Sequence, residues 1–141
     1  MTIKAILTGR GDVVSVAPDT RVKDVVALLA ERRIGAVPVI DSGEVLGVFS
    51  ERDVIRCLAA GKADALAGAV AEVMTAPAVT VAPDDSVLGA LSLMTRRRIR
   101  HLPVVEDGAV VGIVSIGDLV KYRIDHIEAE AAAMRDYIQQ A

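Results

Sequence analysis

The first half of this chain is repeated in its second half. Val14-x-Val16-Ala17-Pro18-Asp19 recurs 65 residues later as Val79-x-Val81-Ala82-Pro83-Asp84. Residues 13–56 and 78–121 align without a gap and are identical at 17 of 44 positions. Such a duplication strongly constrains the fold, because each copy must be one supersecondary unit and the two must bury each other.

The two copies differ in length only near their start. Ile6-Leu7 matches Val73-Met74 at an offset of 67, so the first copy carries two extra residues near Gly9–Gly11. The second copy has no counterpart for these residues, and the segment is turn-like.

Each copy predicts the order β-α-β-β-α. In the first, residues 14–16 are extended, Val22, Val25, Val26 and Leu29 have helical spacing, and a turn at 41–44 joins apolar runs at 36–40 and 45–49. A second helix is expected from Ser50. The second copy follows with an extended piece at 79–81, helical spacing at Val87, Leu91 and Met94, runs at 102–105 and 110–114, a turn at 106–109 and a helix from Ser115.

Short polar residues precede the first helix of each copy. Asp19 or Thr20, and Asp85 or Ser86, are expected to cap these helix starts by accepting hydrogen bonds from free backbone N–H groups.

The fold class that follows is α/β (α+β), with two β-α-β-β-α repeats related by a pseudo-twofold axis and a long C-terminal helix. One copy leaves an apolar face that its twin can cover. The expected organisation is repeat one at 1–60, a small-residue linker at 61–69, repeat two at 70–121 and a helical extension at 122–141.

The extension predicts a self-associating helix. Its apolar residues are spaced four, three, four, three and four apart, as in a coiled coil or bundle. They are Val120, Ile124, Ile127, Ala131, Met134 and Ile138. We expect a homodimer through this helix and those of the repeats; the alternative is that the helix folds back on its own domain.

Composition excludes several classes of protein. A net charge of −3 gives no broad attraction to nucleic acid, and no apolar run reaches the roughly 18 residues of a membrane span. The arginines at 96–98 and 100 beside His101 could suggest RNA, but the chain lacks the aromatic residues that stack on bases. The start shows no signal peptide and Cys57 is a lone thiol, so the expected location is the cytoplasm. We predict no metal site and no catalytic residue, because neither metal-ligand spacing nor a nucleophile-base set is visible.

The candidate chemistry lies at a strand-to-helix junction in each copy. Gly47-x-x-Ser50-x-x-Asp53 recurs as Gly112-x-x-Ser115-x-x-Asp118. Ser followed three residues later by an acid is a helix-capping arrangement, and capping alone explains the spacing. A glycine within a strand also permits close approach to the backbone, and a helix start attracts phosphate. Capping and ligand binding are compatible.

These pieces together resemble a tandem pair of cystathionine-β-synthase (CBS) domains, a Bateman module. The resemblance covers about residues 3–121 and rests on Val-x-Pro-Asp after the first strand, on Arg-Ile-x-x-hydrophobic-Pro-Val before the hairpin and on Gly-x-x-Ser-x-x-Asp after it, each present twice. Small stand-alone bacterial proteins of two CBS domains are similar, and their first copy often reads Ser-Glu-Arg-Asp, as at 50–53.

The resemblance implies one adenosyl-ligand site per copy, with AMP, ADP, ATP, NAD(H) or S-adenosylmethionine as candidates and no required cofactor. Asp53 and Asp118 would hold ribose hydroxyls, Ser50 and Ser115 would meet phosphate or ribose, and Ser15 and Thr80 would contact the adenine edge through their backbone. Site one would comprise Ser15, Ile34, Val48, Ser50, Arg52 and Asp53. Site two would comprise Thr80, Ile99, Arg100, His101, Ile113, Ser115 and Asp118. Core packing is the alternative for the apolar members, and a solvated surface for Arg52, Arg100 and His101.

The two sites are expected to differ. Repeat two has Arg100-His101 where repeat one has Gly35-Ala36, and repeat one has Arg52 where repeat two has Gly117. Each site would therefore draw its basic residues from a different place, so the two sites should differ in affinity or ligand, and Gly35-Ala36 makes phosphate binding less strongly indicated in site one. The predicted function is a non-catalytic sensor of adenosine nucleotides that alters its dimer or an unidentified effector protein. A scaffold with vestigial clefts is the second hypothesis, and an enzyme the third.

Overall fold

The computed structural model describes residues 1–61 and 63–140. Its elements follow the α-β-β-α part of the predicted order twice, with an additional short helix at the N-terminus, and the leading strand of each copy is reduced to a single bridge. They are α1 (Ile3–Leu7), α2 (Val22–Arg32), β1 (Ala36–Asp41), β2 (Glu44–Ser50), α3 (Glu51–Ala59), 3-10 turns at Ala63–Ala67 and Val70–Glu72, α4 (Val87–Arg97), β3 (His101–Glu106), β4 (Ala109–Ser115) and α5 (Ile116–Gln140).

Each repeat contains one antiparallel hairpin, and the two hairpins share a register. Ala36 pairs with Ser50 and His101 with Ser115, and both ladders shift at the same point, after Val39 and after Val104. The predicted extended pieces at 14–16 and 79–81 form single parallel bridges, Val16 to Val39 and Val81 to Val104. The fold class and the repeat prediction are confirmed.

The cap prediction holds in the second repeat and is wrong in the first. Ser86 begins α4 and its Oγ accepts from the N–H of Gly89 at 2.9 Å. In α2 the N-cap is Arg21, which stands where the second copy has Ser86 and makes no side-chain cap. Its guanidinium cannot accept a hydrogen bond, and the helix begins one residue later than Thr20 would allow.

The repeats exchange their leading segments. Ile3 is fully buried among second-repeat residues, and its N–H donates to the C=O of Asp85 at 3.0 Å. Val70 is fully buried in the first-repeat core, and its N–H donates to the C=O of Thr20 at 2.8 Å. Each core is therefore completed by chain that precedes the other repeat.

The C-terminal helix is continuous, as expected. Helix α5 covers Ile116–Gln140, and of its residues only Leu119 is buried. Most of the predicted seam is exposed: Val120, Ile124, Ile127, Met134 and Ile138. Within residues 1–61 and 63–140, no helix combines the length and apolarity that crossing a membrane requires.

Candidate functional site

The first Ser-x-x-Asp junction is a complete capping box. The N–H of Ser50 donates to Asp53 Oδ2 at 2.9 Å, and the N–H of Asp53 donates to Ser50 Oγ at 3.4 Å. Asp53 Oδ1 also accepts from Thr75 Oγ1 at 2.9 Å and from Arg56 Nη1 at 3.2 Å. With Ser50 Oγ 3.2 Å from Oδ2, four donors surround a residue that is 2% exposed.

The second junction repeats the box and leaves its carboxylate more open. The N–H of Ser115 donates to Asp118 Oδ2 at 2.9 Å, and the N–H of Asp118 donates to Ser115 Oγ at 3.1 Å. Oδ1 faces Arg10, whose Nη2 lies 3.0 Å away. The Asp118 side chain is 32% exposed, so a molecule in solution can reach it.

Both carboxylates line a cleft between the repeats. The Asp53 cleft has a volume of about 340 Å³ and the Asp118 cleft about 510 Å³. Both volumes fall within the roughly 300–1,000 Å³ typical of small-molecule sites. The Asp53 cleft is lined by Gly35, Val48, Ser50, Glu51, Arg52, Asp53, Arg56, Thr75, Arg97, Arg98, Ile99, Arg100 and His101. The Asp118 cleft is lined by Leu7, Arg10, Gly11, Asp12, Val13, Val14, Arg33, Ile34, Gly35, Ala36, His101, Val111, Gly112, Ile113, Ser115 and Asp118.

Each cleft is built from both repeats, which the sequence grouping did not anticipate. Ile34 lies with Asp118, whereas Ile99 and Arg100 lie with Asp53, and His101 lines both clefts. The segments before β1 and β3 cross the pseudo-twofold axis to meet the opposite helix start. Ser15 and Thr80 are exposed and lie outside the described lining of both clefts. The binding roles assigned to all these residues remain predictions.

Gly35 and His101 form the wall between the two clefts and line both. A Cβ added at Gly35 would lie 3.0 Å from His101 Nε2. A side chain at position 35 would therefore push the imidazole aside. The imidazole of His101 therefore occupies the space that the absent side chain of Gly35 leaves.

Because the segments before β1 and β3 line the clefts of the opposite repeats, most of the basic residues lie in one cleft. Arg52, from repeat one, and Arg100, from repeat two, share the Asp53 cleft with Arg56, Arg97 and Arg98, against the acids Glu51 and Asp53. The Asp118 cleft has two arginines, Arg10 and Arg33, against Asp12 and Asp118. The sequence predicted that each cleft would draw its basic residues from a different place; the structure instead brings both sources, Arg52 and Arg100, to the Asp53 cleft.

Three residues that contact the carboxylates were not found from the sequence. Arg56 is one helical turn from Asp53, an i,i+3 spacing that could have indicated the contact. Thr75 and Arg10 come from the leading segments of the two copies, whose place in the fold depends on the exchange between repeats. The two extra residues around Gly9–Gly11 were the available signal for Arg10.

The strand glycines are approached by the chain itself. A Cβ at Gly47 would lie 2.6 Å from the backbone O of Thr75, and one at Gly112 would lie 2.6 Å from Cδ2 of Leu7. Glycine at these two positions therefore accommodates the leading segments, so it is not by itself evidence of a ligand.

Burial is the largest influence on His101 and lowers its pKa below the usual 6.5. Glu51 and Asp118 oppose that shift, and Arg100 adds to it. For Asp118, burial acts to raise the pKa, but the hydrogen bond from the Ser115 N–H and the charge of Arg10 outweigh it, so the pKa is lowered. At neutral pH the wall therefore carries a neutral imidazole beside an ionised carboxylate.

No group of three or more His, Cys, Asp or Glu side chains in the described residues is placed to hold a metal ion.

The family model described as "CBS domain" matches residues 3–60 and 70–125. A CBS domain-containing protein of Bacillus subtilis, YhcV, is 32% identical over 121 residues, which are 85% of this chain and 85% of that protein. A mitochondrial CBS domain-containing protein of Arabidopsis thaliana is 35% identical over 126 residues, 86% of this chain but 61% of the relative's length.

Solved structures share the fold and include ligand complexes. A CBS-domain containing protein from Agrobacterium tumefaciens superposes with a TM-score of 0.82 at 38% identity, over 87% of this chain and 99% of that one. A CBS domain protein from Pyrobaculum aerophilum, complexed with AMP, gives 0.75 at 30% identity, covering 84% and 89%. A CBS domain pair in complex with 5-methylthioadenosine and S-adenosyl-L-methionine gives 0.77 at 25%, covering 89% and 98%.

Proposed function

Because this chain belongs to the CBS-domain family, we propose that it is a regulatory module whose two clefts between the repeats bind adenosine nucleotides. The observation that carries the proposal is that both clefts are built from both repeats. Each cleft combines a capped carboxylate from one repeat with apolar and polar groups of the other. The complexes of relatives with AMP and with S-adenosyl-L-methionine support this ligand class.

The Asp53 cleft suits the phosphate end of such a ligand. Five arginines line it against two acids, an excess of positive charge that favours a nucleoside di- or triphosphate. Its carboxylate is less available, because four donors fill the roughly four acceptor positions of Asp53. A ribose hydroxyl would have to replace one of them, and Arg56, with a 67% exposed side chain, is the easiest to displace.

The Asp118 cleft suits a less highly charged adenosine ligand. Its basic and acidic side chains balance, and its carboxylate is partly open to solvent. Ile34 and Ile113 provide apolar lining from opposite repeats, which suits an adenine ring.

Calorimetric titration of ATP, AMP and adenosine into nucleotide-free protein tests the proposal. We expect ATP to bind more tightly than adenosine, and Arg100→Ala to weaken ATP about tenfold or more while changing adenosine little. Arg135→Ala, which removes one arginine from the far end of α5, is the matched control and should leave ATP binding unchanged. No heat of binding with any of the three ligands would refute nucleotide sensing.

One observation favours a second candidate, a scaffold with vestigial clefts. The carboxylate of Asp53 is already filled by protein donors, as expected for a purely structural cap. The scaffold candidate predicts that partner binding or dimer formation is the same with and without nucleotide, whereas the sensor requires different ligand affinity in two states.

We also propose that two copies associate through the exposed apolar faces of α3, α4 and α5, and act on an unidentified effector in the cytoplasm. Ile55 and Leu58 on α3, Leu88 on α4 and the α5 seam are exposed. The seam has coiled-coil spacing, so a second copy of α5 complements it. Replacing Ile124 and Ile127 by Asp should give monomers in sedimentation velocity, whereas Glu128→Gln should not. A monomeric parent protein would contradict this association.

A further inference from the structure

The two carboxylates are satisfied by different parts of the chain. At Asp53, Thr75 Oγ1 donates to Oδ1, and the backbone of Thr75 pairs with the N–H and C=O of Val48 at 3.0 and 2.9 Å. At Asp118, Arg10 supplies both contacts from one side chain. Its Nη2 lies 3.0 Å from Asp118 Oδ1, and its Nη1 donates to the C=O of Ile113 at 3.1 Å. Val48 and Ile113 are equivalent positions of the repeat.

The extra residues of the first copy account for this difference. The N–H of Arg10 donates to the C=O of Leu7 at 3.1 Å, and the intervening Thr8 and Gly9 have φ values of −59° and +82°. These values fit a type II turn, which requires glycine at its third position. The turn diverts the chain where the second copy continues from Met74 into the bridge of Thr75 with Val48. It also directs Arg10 into the cleft.

The Arg10 contact is easier to break than its counterpart. Thr75 is held by two backbone hydrogen bonds beside a carboxylate that is almost fully buried. The Arg10 and Asp118 side chains are 39% and 32% exposed, and ion pairs of that exposure are weak. Arg10 is also one of the groups that lower the pKa of Asp118, so the carboxylate it covers is charged.

We propose that Arg10 is an internal ligand of the Asp118 cleft, which competes with an incoming nucleoside for Asp118 Oδ1 and for the C=O of Ile113. The inference rests on the proposed function, since it presupposes that an adenosine ligand uses this carboxylate. The guanidinium hydrogen-bonds to the Asp118 carboxylate and to the neighbouring C=O of Ile113. A ligand with hydroxyl or amino donors needs these same two acceptors. If the Asp118 cleft is free of Arg10 for only a fraction of the time, its apparent affinity for the ligand is reduced by that fraction.

Two sets of isoleucine methyl groups report the clefts separately. Ile34 and Ile113 line the Asp118 cleft, and Ile99 lines the Asp53 cleft. Titration of methyl-labelled protein with adenosine and with AMP, followed by NMR, gives an affinity for each. We expect Arg10→Ala to strengthen adenosine binding about three- to tenfold at Ile34 and Ile113 and to leave the affinity reported by Ile99 within about twofold.

Arg33→Ala is the matched control, since it removes the same charge from the same cleft but not from Asp118. It should not strengthen adenosine binding. If Arg10→Ala and Arg33→Ala strengthened adenosine binding equally, the change in net charge would explain the effect, and the inference would be overturned. Weaker AMP binding in Arg10→Ala would make Arg10 a phosphate partner, which also overturns it while nucleotide binding stands. If neither ligand shifts any of these methyl signals in any variant, the proposed function fails and this inference with it.

Discussion

The Asp53 and Asp118 clefts share one backbone plan and differ in what closes them. Both begin with a Ser-x-x-Asp cap at the end of a hairpin of the same register. A backbone bridge and five arginines complete one cleft, and a single exposed arginine side chain covers the carboxylate of the other. Duplication therefore preserved the local caps, while the leading segments determined exposure and charge. Three pairs of variants and one pH titration test this contrast, in order of decreasing expected effect.

Replacing the two carboxylates should separate the clefts most strongly. Asp53→Ala removes the cap and takes the acceptor from four donors, including the Ser50 N–H and Thr75 Oγ1, at a carboxylate that is almost fully buried, so we expect a loss of about 3 kcal/mol of unfolding free energy. Asp118→Ala loses a more exposed cap and should cost about 1 kcal/mol. Urea denaturation measures both, with Asp53→Asn as the control that keeps one acceptor oxygen. Equal losses for the two alanine variants would mean that the leading segments do not distinguish the clefts.

The strand glycines offer the second contrast. In Gly47→Ala the new Cβ meets the backbone O of Thr75 at 2.6 Å, and moving that oxygen breaks the bridge to Val48, so we expect a cost of about 2–3 kcal/mol. In Gly112→Ala it meets the end of the Leu7 side chain, which can rotate, and the cost should be about 1 kcal/mol or less. Thermal unfolding compares the two; a more damaging Gly112→Ala would contradict the bridge argument.

Helix starts provide the third contrast. Ser86→Ala removes the side-chain cap of α4 and should cost about 1 kcal/mol, whereas Arg21→Ser introduces a cap acceptor at α2 and should add about 0.5–1 kcal/mol. Chemical denaturation of the single and double variants measures both effects. Because the sites lie in different repeats, the changes should add. If Arg21→Ser lowered the free energy of unfolding, the guanidinium of Arg21 would contribute more to stability than the new cap does.

The titration of His101, in the wall between the clefts, predicts that the stability of the protein depends on pH. Burial lowers the pKa of His101, so the unfolded chain takes up a proton at higher pH than the folded one. The stability that the neutral imidazole contributes is present above about pH 6.5 and is lost as the pH falls through the lower folded value. Glu51, Asp118 and Arg100 face this group and set the size of the effect. We expect His101→Gln to flatten the stability profile between pH 6.5 and 5; an unchanged slope would place the titration elsewhere.

Much of the site was visible in the repeat itself. Ser50, Asp53, Ser115 and Asp118 form the caps that their spacing predicts, since a cap depends on residues within one turn of helix. The grouping of residues around them was not visible. Ile34 and Ile99 lie in the clefts of the opposite repeats, and Thr75 and Arg10 reach the carboxylates through contacts remote in sequence. Spacing along the chain carries no information on which copy's segment crosses the axis.

Local sequence was enough to predict the duplicated α-β-β-α order, both capping boxes, the hairpin turns and the continuous helix α5, because these follow from hydrogen bonds and apolar periodicity over a few residues. The exchange of Ile3 and Val70 between the two cores and the meeting of arginines from both repeats beside Asp53 emerge only in the folded chain. An apolar face at a pseudo-twofold axis can be covered by any segment that reaches it, and which segment does so depends on the packing of the whole molecule.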